Sequence, residues 1–153
     1  MKLIFVSAPY TADGSRSGIE DNIARAEAIS ISLINEGWSV ITPPKNTVHY
    51  ERYEPLLQGK GYKFWLEFYI EILRRCDAII MCSGWKDSTG CKGEYKYAME
   101  NGITIFFEED GIPSPENSNL AEPISIKEAA ERARKFQASL SDDLIDADLG
   151  SGL

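Results

Sequence analysis

The sequence predicts an α/β fold, a doubly wound and mostly parallel sheet of four to five strands with helices on both faces. Three observations predict it. Short apolar runs such as "LIFVSAP", "DAIIMC" and "ITIFF" are continuous rather than alternating, as strands buried on both faces are. Segments with apolar residues at helical spacing separate those runs, and such alternation implies right-handed crossovers between parallel strands. Glycine or proline punctuates the segment ends. A chain of 153 residues is long enough to bury about two-thirds of its unfolded surface around one core.

The elements follow in order. "LIFVSAP" is a first strand that stops at the loop "YTADGSRSG". In "IEDNIARAEAISISLINEG" the residues Ile19, Ile23, Ala26, Ile29 and Leu33 recur at helical spacing, and Gly37 supplies the stop. "WSVITPP", Trp38 to Pro44, reads as a second short strand ended by prolines, which remove ladder donors. Pro43 to Gly61 shows no clear period, and a loop that long inside a domain is often functional. "YKFWLEFYIEILRRC" returns to helical spacing through Trp65, Leu66, Tyr69, Ile72, Leu73 and Cys76, and its aromatics read as core or subunit interface. "DAIIMC" is a third strand. Asp77 begins it, some 16 Å from the loop end at roughly 3.3 Å per residue, and is read as structural. "CKGEYKYAMENG" is a shorter helix stopped by Gly102, and "ITIFF" is a fourth strand. Gly111 to Pro123 is a proline-rich connector. Ser125 with Glu128 forms a capping box opening a last helix to about Leu140. Residues 1–140 thus form a single domain, followed by an acidic, frayed tail over 141–153.

Composition narrows the function classes. A net charge of -8 leaves no basic stripe for counterion release, which argues against duplex nucleic acid as a partner. The apolar runs fall short of a membrane span, and the chain opens on a strand rather than a signal peptide, so the expected setting is cytoplasmic. Cys76, Cys82 and Cys91 lack C-x-x-C spacing and read as reduced, packed thiols rather than a disulfide framework or zinc site. No metal or cofactor is called for.

In a doubly wound sheet, ligands bind beyond the carboxyl ends of the strands where strand order reverses. For a flavodoxin-like order that point lies between the first and third strands, so the loops Ser7 to Gly18 and Cys82 to Cys91 should meet there. The second runs into the stretch "WKDSTGCKGEYKYA", Trp85 to Ala98. Glu94 is expected in the first turn of the following helix, where free N–H groups and the macrodipole favour a negative charge. Ser88, Thr89 and Gly90 offer hydroxyls and a small-residue turn of the kind that cradles phosphate.

The strand "CDAIIM", the loop "SGWKDSTG" and a glutamate four residues after its glycine resemble the nucleoside 2-deoxyribosyltransferase superfamily, in particular its often phage-encoded members. The opening "KLIFVSAPYT" and the Asn-Ile-Ala-rich helix after it are similar to the same group, so the resemblance runs from Met1 to about Phe107. It implies retaining N-glycosidic chemistry. Glu94 would attack the anomeric carbon of a nucleoside and expel the base, and the glycosyl ester would pass to water or a second base. A serine at position 88, where nucleoside transferases of this family have aspartate, tilts the implied substrate towards a 5′-mononucleotide. Arg16 then becomes a candidate second phosphate ligand. Ser7 and Asp87, at the two loops, join Ser88 and Gly90 as candidate substrate contacts. His49, Tyr50, Tyr53 and Trp85 are candidates to meet the base. The family's nucleophile-orienting tyrosine falls at Phe5 and its base-protonating aspartate at Tyr69. Tyr10 is the candidate replacement for the first hydroxyl, and Tyr69 itself could donate a hydrogen bond for the second. The family also implies a homo-oligomer. Two rival readings share the fold: a nucleotide-binding or sensing module that has lost catalysis, motivated by Phe5 and Tyr69, and a flavodoxin-like redox protein.

Overall fold

The computed structural model describes residues 1–11, 14–48, 50, 57–58, 60–116, 120–121 and 131. Strands β1 (Leu3–Ser7), β2 (Ser39–Ile41), β3 (Ala78–Met81) and β4 (Thr104–Phe107) form one sheet in the order β2-β1-β3-β4, and every pairing in it is parallel. The order reverses between β1 and β3, as the sequence predicts. Backbone bonds satisfy β1 on both edges, and Ile4, Phe5, Val6 and Ser7 are fully buried, which is why the run carries no solvent-facing polar alternation.

The two faces of β1 go to different helices. Ile4 and Val6 pack with Ala26, Ile29 and Leu33 of α1 (Arg16–Asn35). Phe5 packs on the other face with Tyr69 and Leu73 of α3 (Tyr62–Leu73) and Ala98 of α4 (Thr89–Glu100). Because side chains alternate along a strand, Ser7 shares the face of Phe5 and is directed to the α3 and α4 side.

Turn chemistry sets the helix ends. Ser15 caps α1 by accepting from the Gly18 amide at 3.1 Å, so the helix begins ahead of the apolar period that starts at Ile19. At its other end Gly37 adopts φ +96°, while the amides of Gly37 and Trp38 donate to the carbonyls of Ile34 and Leu33, a Schellman closure that turns the chain straight into β2. Asp77 extends the sheet downwards, its carboxylate accepting from the Leu3 amide at 2.7 Å, in line with its structural reading.

Two expectations need correction. The prolines after β2 do not belong to the strand: Pro43 and Pro44 occupy the first positions of a short helix, α2 (Pro43–Thr47), where missing amides cost nothing because they would be unpaired anyway. The connector after β4 contains a small antiparallel pair, β5 (Ile112–Pro113) with β6 (Leu120–Ala121). The expected last helix and acidic tail fall outside the described residues, Glu131 apart. Among the described residues no helix is long and apolar enough to cross a membrane.

Candidate functional site

Beyond β3 the chain turns at Gly84, whose φ of +83° is a conformation that favours glycine, and makes a 3-10 turn over Trp85–Asp87. Ser88 then caps α4, its Oγ accepting from the Cys91 amide at 3.3 Å. Glu94 falls in the second turn of α4 rather than the first, so helix-end amides do not account for its environment. Burial does. Glu94 is 8% exposed, and Ser7 Oγ donates to its Oε2 at 2.6 Å. The two residues are brought together by topology, since β1 and β3 pair with Ser7 opposite Met81 and α4 follows β3. Close approach of α3 to α4 completes the arrangement: a Cβ on Gly93 would lie 3.4 Å from Leu66 Cδ1.

Glu94 lines a cavity of about 620 Å³ within the range of small-molecule sites, at the carboxyl ends of the strands. Tyr62, Trp65 and Tyr69 line it from α3, Pro43, Pro44 and Thr47 from α2, Tyr10 and Thr11 from the first loop, and Asp87, Ser88, Thr89, Gly90 and Cys91 from the start of α4, with Tyr50 beside α2. The Tyr69 hydroxyl reaches the Pro43 carbonyl at 3.0 Å and Thr47 Oγ1 at 2.9 Å, fastening α2 to α3 as one wall.

Burial pushes the Glu94 carboxyl from 4.5 up to about 7, with the Ser7 hydrogen bond pulling the other way. Near neutral pH the group is therefore divided between acid and carboxylate, able to give a proton or to act as nucleophile or base. Its charge is felt by its neighbours. Burial first, and then Glu94, raise the phenol of Tyr62 and the thiol of Cys91. Burial carries Tyr69 up to about 12, the Thr47 hydrogen bond opposing and Glu94 adding to the rise.

Of the residues singled out from the sequence, Glu94, Tyr10, Asp87, Ser88 and Gly90 line this cavity. Ser7 lies behind it, its hydroxyl donating to Glu94. A hydroxyl that holds the carboxylate is thus that of Ser7, while Tyr10 lines the cavity from the first loop. Phe5 is sealed in the core with its ring 6.3 Å from that of Tyr69 in an edge arrangement. Arg16 does not line the cavity: it is the first residue of α1, pairs with Glu20 at 2.8 Å, and its side chain is 90% exposed. Trp85 does not line it either, because its ring packs 4.7 Å from Tyr95 and 6.1 Å from Phe107. His49 and Tyr53 lie outside the described residues. The α3 aromatics were expected in a core or subunit interface; Tyr69 is buried in the core with Phe5, and Tyr62, Trp65 and Tyr69, at i, i+3 and i+7 on one helix face, also border the cavity. That spacing is the signal that marks them.

Residues 10–107 match a protein family described as a domain of unknown function, DUF4406. No curated protein matches the chain.

Proposed function

The chain belongs to the DUF4406 family, and from its cavity we propose that it is a nucleoside 2-deoxyribosyltransferase-like enzyme, cleaving the N-glycosidic bond of a nucleoside or 5′-mononucleotide. The observation that carries the proposal is the Ser7–Glu94 hydrogen bond at 2.6 Å beside a cavity rich in aromatic residues. Such a carboxylate is held in place, shielded from bulk water and close enough to neutrality to ionise. In the first step a Glu94 oxygen bonds to C1′ of the sugar as the C1′–N bond breaks, its electron pair leaving with the base. Water or a second base then bonds to C1′, the ester breaks, and the Glu94 carboxylate is restored. The rings of Tyr62, Trp65 and Tyr50 offer faces on which a base can stack. At the start of α4 Ser88 keeps its hydroxyl proton for a 5′-hydroxyl or phosphate, since its oxygen is what caps the helix.

The test is a panel of deoxy- and ribonucleosides and their 5′-monophosphates, with free base followed by chromatography. Base release that disappears in Glu94→Gln is the expected result. One observation favours a second reading, a binding module without turnover: the Tyr69 hydroxyl, the expected hydrogen-bond donor to the leaving base, is engaged by α2. Ligand binding with no release of base, unchanged in Glu94→Gln, would establish that alternative and refute the enzyme.

A further inference from the structure

The described cavity-lining residues that carry formal charge are both acids, Asp87 and Glu94, and they are set among the rings of Tyr10, Tyr50, Tyr62, Trp65 and Tyr69. Ring faces and carboxylates together are the chemistry that recognises an organic cation. A neutral base gains stacking here and only hydrogen bonds from the acids, whereas a base of fixed positive charge also gains their charge. The leaving group points the same way. A neutral base must be protonated as it departs, but Tyr69 directs its hydroxyl at the Pro43 carbonyl and Thr47 Oγ1. A cationic base departs as a neutral molecule and asks for no proton.

Resting on the glycosyl-transfer reading above, we propose that the preferred substrate is an N-glycoside whose base carries a fixed positive charge, such as a pyridinium nucleoside or an N7-alkylated purine nucleoside. The step balances without an acid. The bond from C1′ to the positive nitrogen breaks, its electron pair neutralises the ring, and a Glu94 oxygen bonds to C1′. Water then bonds to C1′, the ester opens to free sugar and carboxylate, and one proton passes to solvent. The cation also favours the ionised nucleophile. The described titratable groups that line the cavity beside Glu94, Cys91 on α4 and Tyr62 and Tyr69 on α3, are each raised, with burial the first cause.

The matched probes are 7-methylguanosine and guanosine, with nicotinamide riboside as the pyridinium member, each incubated with the full chain. Base release is compared as catalysed over uncatalysed rate, which removes the intrinsic lability of the charged compounds. The expected result is an enhancement about tenfold greater for 7-methylguanosine than for guanosine, lost in Glu94→Gln and reduced in Asp87→Asn, with the acid limb of kcat at lower pH than that of kcat/KM. Glu94-dependent cleavage of guanosine with an enhancement equal to or above that of the charged probes would overturn the inference and leave the glycosyl-transfer reading standing. Absence of Glu94-dependent release from all three probes and from the neutral panel would overturn both.

Discussion

Replacing Glu94 by glutamine should stabilise the protein, and the gain should depend on pH. The folded state holds the Glu94 proton up to about 7, against 4.5 for an ordinary glutamate. Below about pH 4.5 the carboxyl is protonated whether the chain is folded or not, and it makes no difference to stability. As pH rises the unfolded chain releases its proton first, so folding becomes progressively less favourable until the folded group also ionises near 7, and the deficit then stays constant. Two and a half pH units at ~1.36 kcal/mol each amount to about 3 kcal/mol. Glutamine is close to glutamate in shape, can accept from the Ser7 hydroxyl, and never ionises. Urea unfolding of wild type and Glu94→Gln, followed by tryptophan fluorescence and repeated from pH 4.5 to 8, should show equal stability at the acid end. At pH 8 the variant should lead by about 3 kcal/mol, roughly 6–12 °C in Tm for a chain of this size. Parallel curves across that range, or a wild type that is the more stable at pH 8, would refute the claim that burial holds this carboxyl against ionisation.

Three further outcomes follow from other contacts. Ser7→Ala removes a charge-assisted donor to Glu94 and should raise the pH midpoint of that carboxyl by about one unit, read by carbon NMR of labelled glutamate; an unmoved midpoint would mean the 2.6 Å contact does not act on the charge. Tyr69→Phe should cost about 1–2 kcal/mol of stability from the lost bonds to α2 while leaving the rate of base release within a few-fold; a fall of about 10²-fold or more would identify Tyr69 as a proton donor after all. Leu33→Ala, at a position of α1 with no exposure, should destabilise by about 2–5 kcal/mol in the same urea assay without changing the pH at which Glu94 titrates.

The strands and their order were legible because both-face burial makes β1 and β3 continuous apolar runs, a pattern that needs no tertiary information. Glu94 was legible as a candidate because a helix beginning just past a crossover strand must start at the ligand-binding edge. Its partner was harder to read. Ser7 and Glu94 are 87 residues apart, and only the parallel register of β1 with β3 and the alternation of side chains bring them face to face. Arg16 misled because "SRSG" has the composition of a loop, whereas Ser15 caps a helix there and turns the arginine outward. The aromatic stripe of α3 was read only in part, its Tyr69 lying in the core as expected while the stripe also borders the cavity: helical period reveals that one face is buried but not whether a cavity adjoins it. α2 was invisible to periodicity, being a five-residue helix whose two prolines serve equally as strand terminators and helix starters.

Trp38 is 4% exposed and its indole nitrogen donates to the Pro113 carbonyl at 2.7 Å, while Ile112 is fully buried beside Ile4, Val6 and Leu33. The region shared with the family stops at residue 107, yet the hydrophobic interior on the α1 side does not close until the chain has passed 113. A shortened version cut at the family boundary would leave an empty socket and an orphaned indole N–H. The smallest autonomous unit therefore has to include the β5 segment.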